Sequence, residues 1–160
     1  MNFKKILLFI PILVLAGCKK NTEDALYYFS ASIKGKEYQF NIGLKGMVKT
    51  PNDTSAVRCV IIGQQGVLND SALLSLRIEN YSNESVTPGS YPRQNFILSI
   101  FYNDWYNFGL YSNEPNANNF ILVLKEVASS YISGTFSGIL FSNSDSVLIT
   151  NGKFKAPLTP

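Results

Sequence analysis

Enzyme chemistry needs a nucleophile, an acid–base group or a metal site, and this chain offers little of any of them. It has no histidine, so neither a histidine-activated nucleophile nor a histidine metal ligand can form. The acids stand apart: Glu79, Glu84, Asp104, Glu114, Glu126 and Asp145 fall in different strands or loops. Glycoside hydrolysis needs two carboxylates converging in a cleft, and nothing in this spacing brings that about. Asp53 and Asp145 lie in Asn/Asp/Ser-rich stretches, which is ordinary turn chemistry. A calcium loop carries several acids at alternating positions, and none is present. We expect no catalytic residue, no metal ligand and no cofactor.

Binding chemistry is better represented. The run from Tyr102 to Tyr111 holds the only tryptophan, Trp105, among Tyr106, Phe108 and the amides Asn103 and Asn107. Flat aromatic faces beside amide and carboxylate groups suit a sugar-binding platform. Period-two alternation puts Trp105, Asn107 and Tyr111 on one face and Tyr106, Phe108 and Leu110 on the other, which reads as core. Trp105 and Tyr111, with Asn103 and Asn107, are therefore the candidate ligand-binding residues. The competing reading is a hairpin whose aromatics are half core and half edge cover.

Only two cysteines occur, Cys18 and Cys59. Lys4 and Lys5 precede a ten-residue apolar run, 6–15, and then Ala16 and Gly17. That is the layout of a secretory signal, and the run is shorter than the 20 or so residues of a membrane span. Leu15-Ala16-Gly17-Cys18 resembles a bacterial lipobox. The resemblance implies cleavage before Cys18 and three acyl chains at that residue. One chain gives marginal membrane binding, so three should hold the protein firmly. Cys59 is then the remaining thiol; it sits in the apolar run 56–62 and is expected to be free and buried.

Removing residues 1–17 takes away Lys4 and Lys5 and no acid, so 14 basic and 11 acidic residues become 12 and 11. The net charge near +1 gives no reason to expect a nucleic-acid partner. Residues 18–25 read as a polar lipidated tether, and residues 26–160 as a single domain. In that domain the chain runs strand, turn, strand. Strands are expected at 26–33, 37–42, 57–63, 72–79, 90–92, 95–102, 105–111, 120–127, 131–141 and 147–155, with 43–55 as a loop. No stretch of two helical turns repeats at i, i+3, i+4, i+7. Nine or ten short strands with frequent turn signals predict an all-β antiparallel sandwich or barrel-like fold. Gly134 and Gly138 share a face with Phe136 between them, a pattern of close backbone approach. No Lys-Ser/Thr follows, so they are not a phosphate loop.

Residues 134–138, Gly-Thr-Phe-Ser-Gly, followed by a turn and 149–154, Ile-Thr-Asn-Gly-Lys-Phe, resemble the closing hairpin of small Bacteroidota lipoproteins. The opening 32–38, Ser-Ile-Lys-Gly-Lys-Glu-Tyr, is similar to that family's first hairpin. Pro88-Gly89-Ser90-Tyr91 is similar to its central strand start. The resemblance implies a β-sandwich domain of unknown function, exposed outside the inner membrane, and no catalytic residues. Lys19-Lys20 lacks the Asp that favours inner-membrane retention in some bacteria, so the outer membrane is expected. Glu23-Asp24 is a late version of the acids that some surface-exported lipoproteins carry. The chain thus reads as a lipid-anchored, non-catalytic envelope module, held to the membrane through Cys18, with a glycan or protein ligand. The alternatives are a purely structural envelope component and, more remotely, a hydrolase.

Overall fold

Period-two alternation sets the architecture. In the computed structural model, Leu74, Leu76 and Ile78 of one strand are fully buried, while Arg77 and Glu79, which alternate with them, are half-buried on the other face beside the buried Ser75. The structure describes residues 26–50, 55–66, 71–80, 82, 84–104, 109–113 and 119–159. The expected leader, Cys18, the tether, Trp105 and Asn107 lie outside the described residues. Eleven strands and no helix occupy the described part: β1 (Tyr28–Ile33), β2 (Lys36–Gln39), β3 (Ile42–Val48), β4 (Val57–Gln65), β5 (Ala72–Asn80), β6 (Gly89–Tyr91), β7 (Phe96–Asp104), β8 (Gly109–Ser112), β9 (Phe120–Val127), β10 (Tyr131–Phe141) and β11 (Ser146–Pro157).

The strands form one antiparallel sheet in the order β2-β1-β11-β10-β8-β7-β5-β4-β3, which curls into a half-barrel. The expected all-β class is therefore what is found, in its barrel-like form. β10 is the line of folding: its residues 132–138 pair with β9, and Phe141 pairs with Ser112 of β8. β6 pairs with the far side of β9. The two halves meet across the core, where Phe40 lies edge-on to Tyr102. At the far edge β3 reaches back to the chain's end through the Gly46–Leu158 bridge.

A bulge drives the curl. Ser30 pairs with Lys153 while Ser32 pairs with Thr150, and Phe136 pairs with Gly152 while Gly138 pairs with Ile149. β11 thus carries one residue more than either neighbour, with Asn151 at φ 53°. An extra residue bends a strand and tightens its right-handed twist. Phe29, Phe136, Phe154 and Phe120 fill the interior beside this bend.

Two expectations need correction. The stretch 43–55 is not a loop throughout, because β3 pairs with β4 from Ile42 to Val48. Gly46 looks like a loop residue but serves packing: a Cβ there would meet Ile132 Cγ2 at 2.9 Å. The strand expected at 37–42 also stops early. Asn41 Oδ1 accepts the Phe29 amide and the Phe40 amide donates to the Phe29 carbonyl. The chain turns there, so Phe40 is buried while Ile42 is 48% exposed rather than sharing its face.

Cys59 is free and fully buried, as expected. Burial pushes its thiol pKa up to about 12, so the native protein holds almost no thiolate at neutral pH. Cys59 should therefore report on opening of the core. Native protein should resist iodoacetamide at pH 8 and react on unfolding in urea. A Cβ at Gly134 would collide with the Val123 carbonyl and the Phe154 ring. We expect Gly134→Ala to cost about 1–3 kcal/mol and to speed Cys59 alkylation roughly tenfold or more. An unchanged alkylation rate would show that this close approach is not under strain.

Candidate functional site

Strand polarity decides which loops become neighbours. β1 pairs antiparallel with β11, β11 with β10, and β7 with β8. The Lys34-Gly35 turn, the Asp104 end of β7 with the Gly109 end of β8, and the β10–β11 turn consequently gather at one end of the half-barrel, since Ser112 of β8 also pairs with Phe141 of β10. Tyr28, the first residue of β1, pairs with Lys155 at the opposite end.

At the gathered end three side chains lock together. Lys34 takes a left-handed φ of 51° beside Gly35 at 79°, the tight two-residue turn that suits a twisted hairpin. Its Nζ donates to Asp145 Oδ2 at 2.8 Å. The Tyr111 hydroxyl donates to the same oxygen at 3.2 Å, and Lys34 Nζ lies 5.9 Å from the Tyr111 ring centre. Asp145 Oδ1 accepts the Ser146 amide at 2.7 Å. The Lys34 ammonium, then the Ser146 N–H and the Tyr111 hydroxyl, hold the Asp145 carboxyl below the usual carboxylate range. The same bond to Asp145 raises the Lys34 pKa. Burial and Asp145 raise that of Tyr111. Burial, with Asp104 next to it, raises that of Tyr102.

Two hollows adjoin at Tyr111. One is a small cavity of about 110 Å³ between Tyr38, Tyr102, Tyr111, Lys34 and Asp104. The other is an open groove of about 770 Å³ on the outer surface, walled by Phe101, Leu110 and Phe141 and rimmed by Ser142, Asn143 and Asp145. Phe101 and Phe141 both pair with Ser112, so their side chains flank it on one face. A groove with apolar walls and a hydroxyl, amide and carboxylate rim can seat a ligand with flat apolar faces and polar edges.

The structure rearranges the sequence-derived candidates. Tyr111 pairs directly with Tyr102, and opposed residues share a face. Its ring is therefore buried, 9% exposed, and its expected exposure is overturned; only its hydroxyl reaches the rim. Leu110, expected in the core, is 62% exposed. Alternation counted from Trp105 fails because β8 begins only at Gly109, opposite Asp104. Asn103 is half-buried opposite Leu110, on the outer face. It and Tyr111 thus sit on opposite faces of the hairpin. Trp105 and Asn107 belong to the connection between the paired ends, outside the described residues.

Sequence reasoning missed Lys34, Asp145, Phe101 and Phe141. Lys34 and Asp145 read as turn residues, and 111 positions separate them. Their shared end was available in principle by counting strand reversals. Asn113 was also missed: it is buried, and its amide bonds the Ile100 N–H and the Leu98 carbonyl, continuing the edge of β8 with a side chain. Among the described residues no three His, Cys, Asp or Glu side chains group as a metal site. Comparison with protein-family models, curated proteins and solved structures finds no match.

The Lys34–Asp145 contact should depend on pH in both directions. Asp145 has a lowered folded pKa, so its contribution is full above the usual carboxylate range and is lost as pH falls through the folded value. Lys34 has a raised folded pKa, so its contribution is lost as pH rises through that value. The Tyr111 ring resonances should shift in acid with a midpoint below that of an ordinary aspartate. Asp145→Asn should abolish the transition. A midpoint at or above the ordinary value would break the assignment.

Proposed function

We propose that this protein is a lipid-anchored envelope lipoprotein whose β-domain is a non-catalytic binding module, with its ligand seated in the groove of Phe101, Leu110 and Phe141. The observation that carries the reading is this groove, which leaves three large apolar side chains exposed beside a polar rim. A glycan suits it best, since sugar rings offer apolar faces and hydroxyl edges to the two kinds of surface. A partner protein with an apolar loop is the other ligand that the groove would take. The lipobox-like run 15–18 supports the anchor, and Lys19-Lys20 supports the outer membrane. Strand polarity supports the combination, because the chain enters the fold at the end opposite the groove.

The non-catalytic reading is supported by Asp145. It is the groove's carboxylate and is already paired with Lys34, with its pKa lowered. It therefore has no proton to give at neutral pH and suits a general acid poorly. The burial of Tyr111 favours the second reading, a purely structural envelope component, since it withdraws one ring from any exposed sugar platform.

A glycan array probed with the mature chain separates these readings. We expect binding to at least one glycan class, weakened about tenfold, near 1.4 kcal/mol, by Phe141→Ala together with Leu110→Ala. Absence of binding to any sugar would remove the glycan version. Cys18→Ser should leave the domain folded, with Cys59 still unreactive, while moving the protein out of the membrane fraction. Retention in the membrane would refute the lipid anchor.

A further inference from the structure

A cluster of lysines and tyrosines marks the end of the fold remote from the groove. Tyr28 pairs with Lys155, and Tyr131 pairs with Pro157. Lys153 Nζ lies 6.0 Å from the Tyr28 ring centre, and Lys155 Nζ lies 4.4 Å from that of Tyr131. These four residues lie on the outer face of β1, β11 and β10, because the residues alternating with them, Phe29, Ile132, Phe154 and Ala156, are buried. Lys125 is exposed on the neighbouring strand β9. The acid beside them is Glu126, whose carboxylate accepts the Tyr131 hydroxyl. Glu37, opposite Ser32 on β2, lines one surface hollow with Lys153 and is the second acid of this face. The cluster at this end is therefore positive, with three lysines to two carboxylates, Glu37 and Glu126.

Chain length fixes what this face can meet. Eight Cα–Cα steps separate Cys18 from Leu26, and fully extended they span at most about 29 Å. Leu26 is 68% exposed, two residues before Tyr28. If Cys18 carries the acyl chains, Leu26 cannot move farther than that from the lipid surface, and the base of β1 at Tyr28, two steps on, no farther than about 36 Å, whereas the groove lies at the opposite end of the strands. Tyrosine and lysine are the side chains that sit well at a membrane interface, with ring or stem against apolar matter and the polar tip in water. Lysines are attracted to anionic headgroups within about one Debye length, roughly 10 Å at 0.1 M salt.

We infer that the end of the sheet bearing Tyr28, Tyr131, Lys153 and Lys155 docks on the anionic lipid headgroups of the leaflet that holds Cys18, with the strands upright, so that the groove, on the same face of β10 at its other end, stands away from the membrane. The inference rests on the lipid-anchor reading and adds to it a second, electrostatic contact that orients the domain.

The test uses the full lipidated product in vesicles of phosphatidylcholine alone and of phosphatidylcholine mixed with phosphatidylglycerol. Flotation with the neutral vesicles reads the anchor. Lysine acetylation by a neutral reagent, followed by mass spectrometry, reads the orientation. We expect flotation with both vesicles. Acetylation of Lys153, Lys155 and Lys125 should slow at least about threefold in the anionic vesicles, while Lys36 near the groove end is unaffected. The slowing should disappear at about 1 M salt, where the Debye length is about 3 Å. Lys153→Glu with Lys155→Glu should still float but lose the slowing at Lys125. Equal rates in the two vesicles, or equal slowing at Lys36, would overturn the docking and leave the anchor standing. Failure to float with neutral vesicles would overturn the anchor and the docking together.

Discussion

The fold depends on phenylalanine rings laid over glycines on the neighbouring strand. Phe154 faces Gly134, Phe136 faces Gly152 and Phe120 faces Gly138. Each ring occupies the space a Cβ would need, within 2.5–2.8 Å of where that atom would stand. The ring in turn covers backbone that a glycine leaves bare. This interlock holds β9, β10 and β11 in one register. A slip of one residue would turn every ring to the outside. A slip of two would set Phe154 opposite Phe136 in place of Gly134. β1 then builds on β11, β6 on β9 and β8 on the end of β10, so the remaining strands inherit their positions from these three.

The same rings connect the interior to the candidate site. Phe154 meets Phe29 at 6.2 Å between ring centres, and Phe29 meets Phe40 at 5.5 Å. Phe40 lies 6.4 Å from Tyr102, and Tyr102 lies 6.0 Å from Tyr111. These are the tilted and edge-on geometries that aromatic pairs favour. The line ends where the Tyr111 hydroxyl leaves the core and meets Asp145. A fully exposed lysine–aspartate pair contributes little by itself. Here one oxygen of the pair is also fixed to a ring packed in the core, so core packing positions the carboxylate at the groove rim. A preformed rim loses less freedom when a ligand arrives.

Much of this was legible in the sequence because burial follows alternation. β5, β9 and β10 end within a residue of where periodicity puts them, and Phe136 between two glycines is the packing feature its spacing suggested. What was not legible depends on contacts distant in sequence. β3 hid in a glycine-containing stretch, since the reason for Gly46 is Ile132, far along the chain. Tyr111 was assigned to the wrong face because alternation has no phase of its own. The pairing with Tyr102 sets the phase of β8, and that pairing follows from the length of the β7–β8 connection. Lys34 and Asp145 carry no local sign of partnership. Each is a plausible turn residue, and only the antiparallel path brings the two turns together.

Antiparallel pairing has a consequence that bears on function more than any single side chain does. Every strand reversal returns the chain to one of two ends, so each loop belongs to one end or the other. The chain enters at the end of Tyr28, Lys155 and Tyr131, while the turns bearing Lys34 and Asp145 belong to the other end. An extended residue advances about 3.4 Å, so β10 alone, with 11 residues, sets the ends roughly 35 Å apart. That separation exceeds the greatest reach of the segment between Cys18 and Leu26. On the proposed anchoring, presentation of the groove is therefore decided by the direction in which the sheet stands on the membrane more than by the slack of the tether. The domain acts as its own spacer, and the packing that stiffens its core also keeps that spacer rigid.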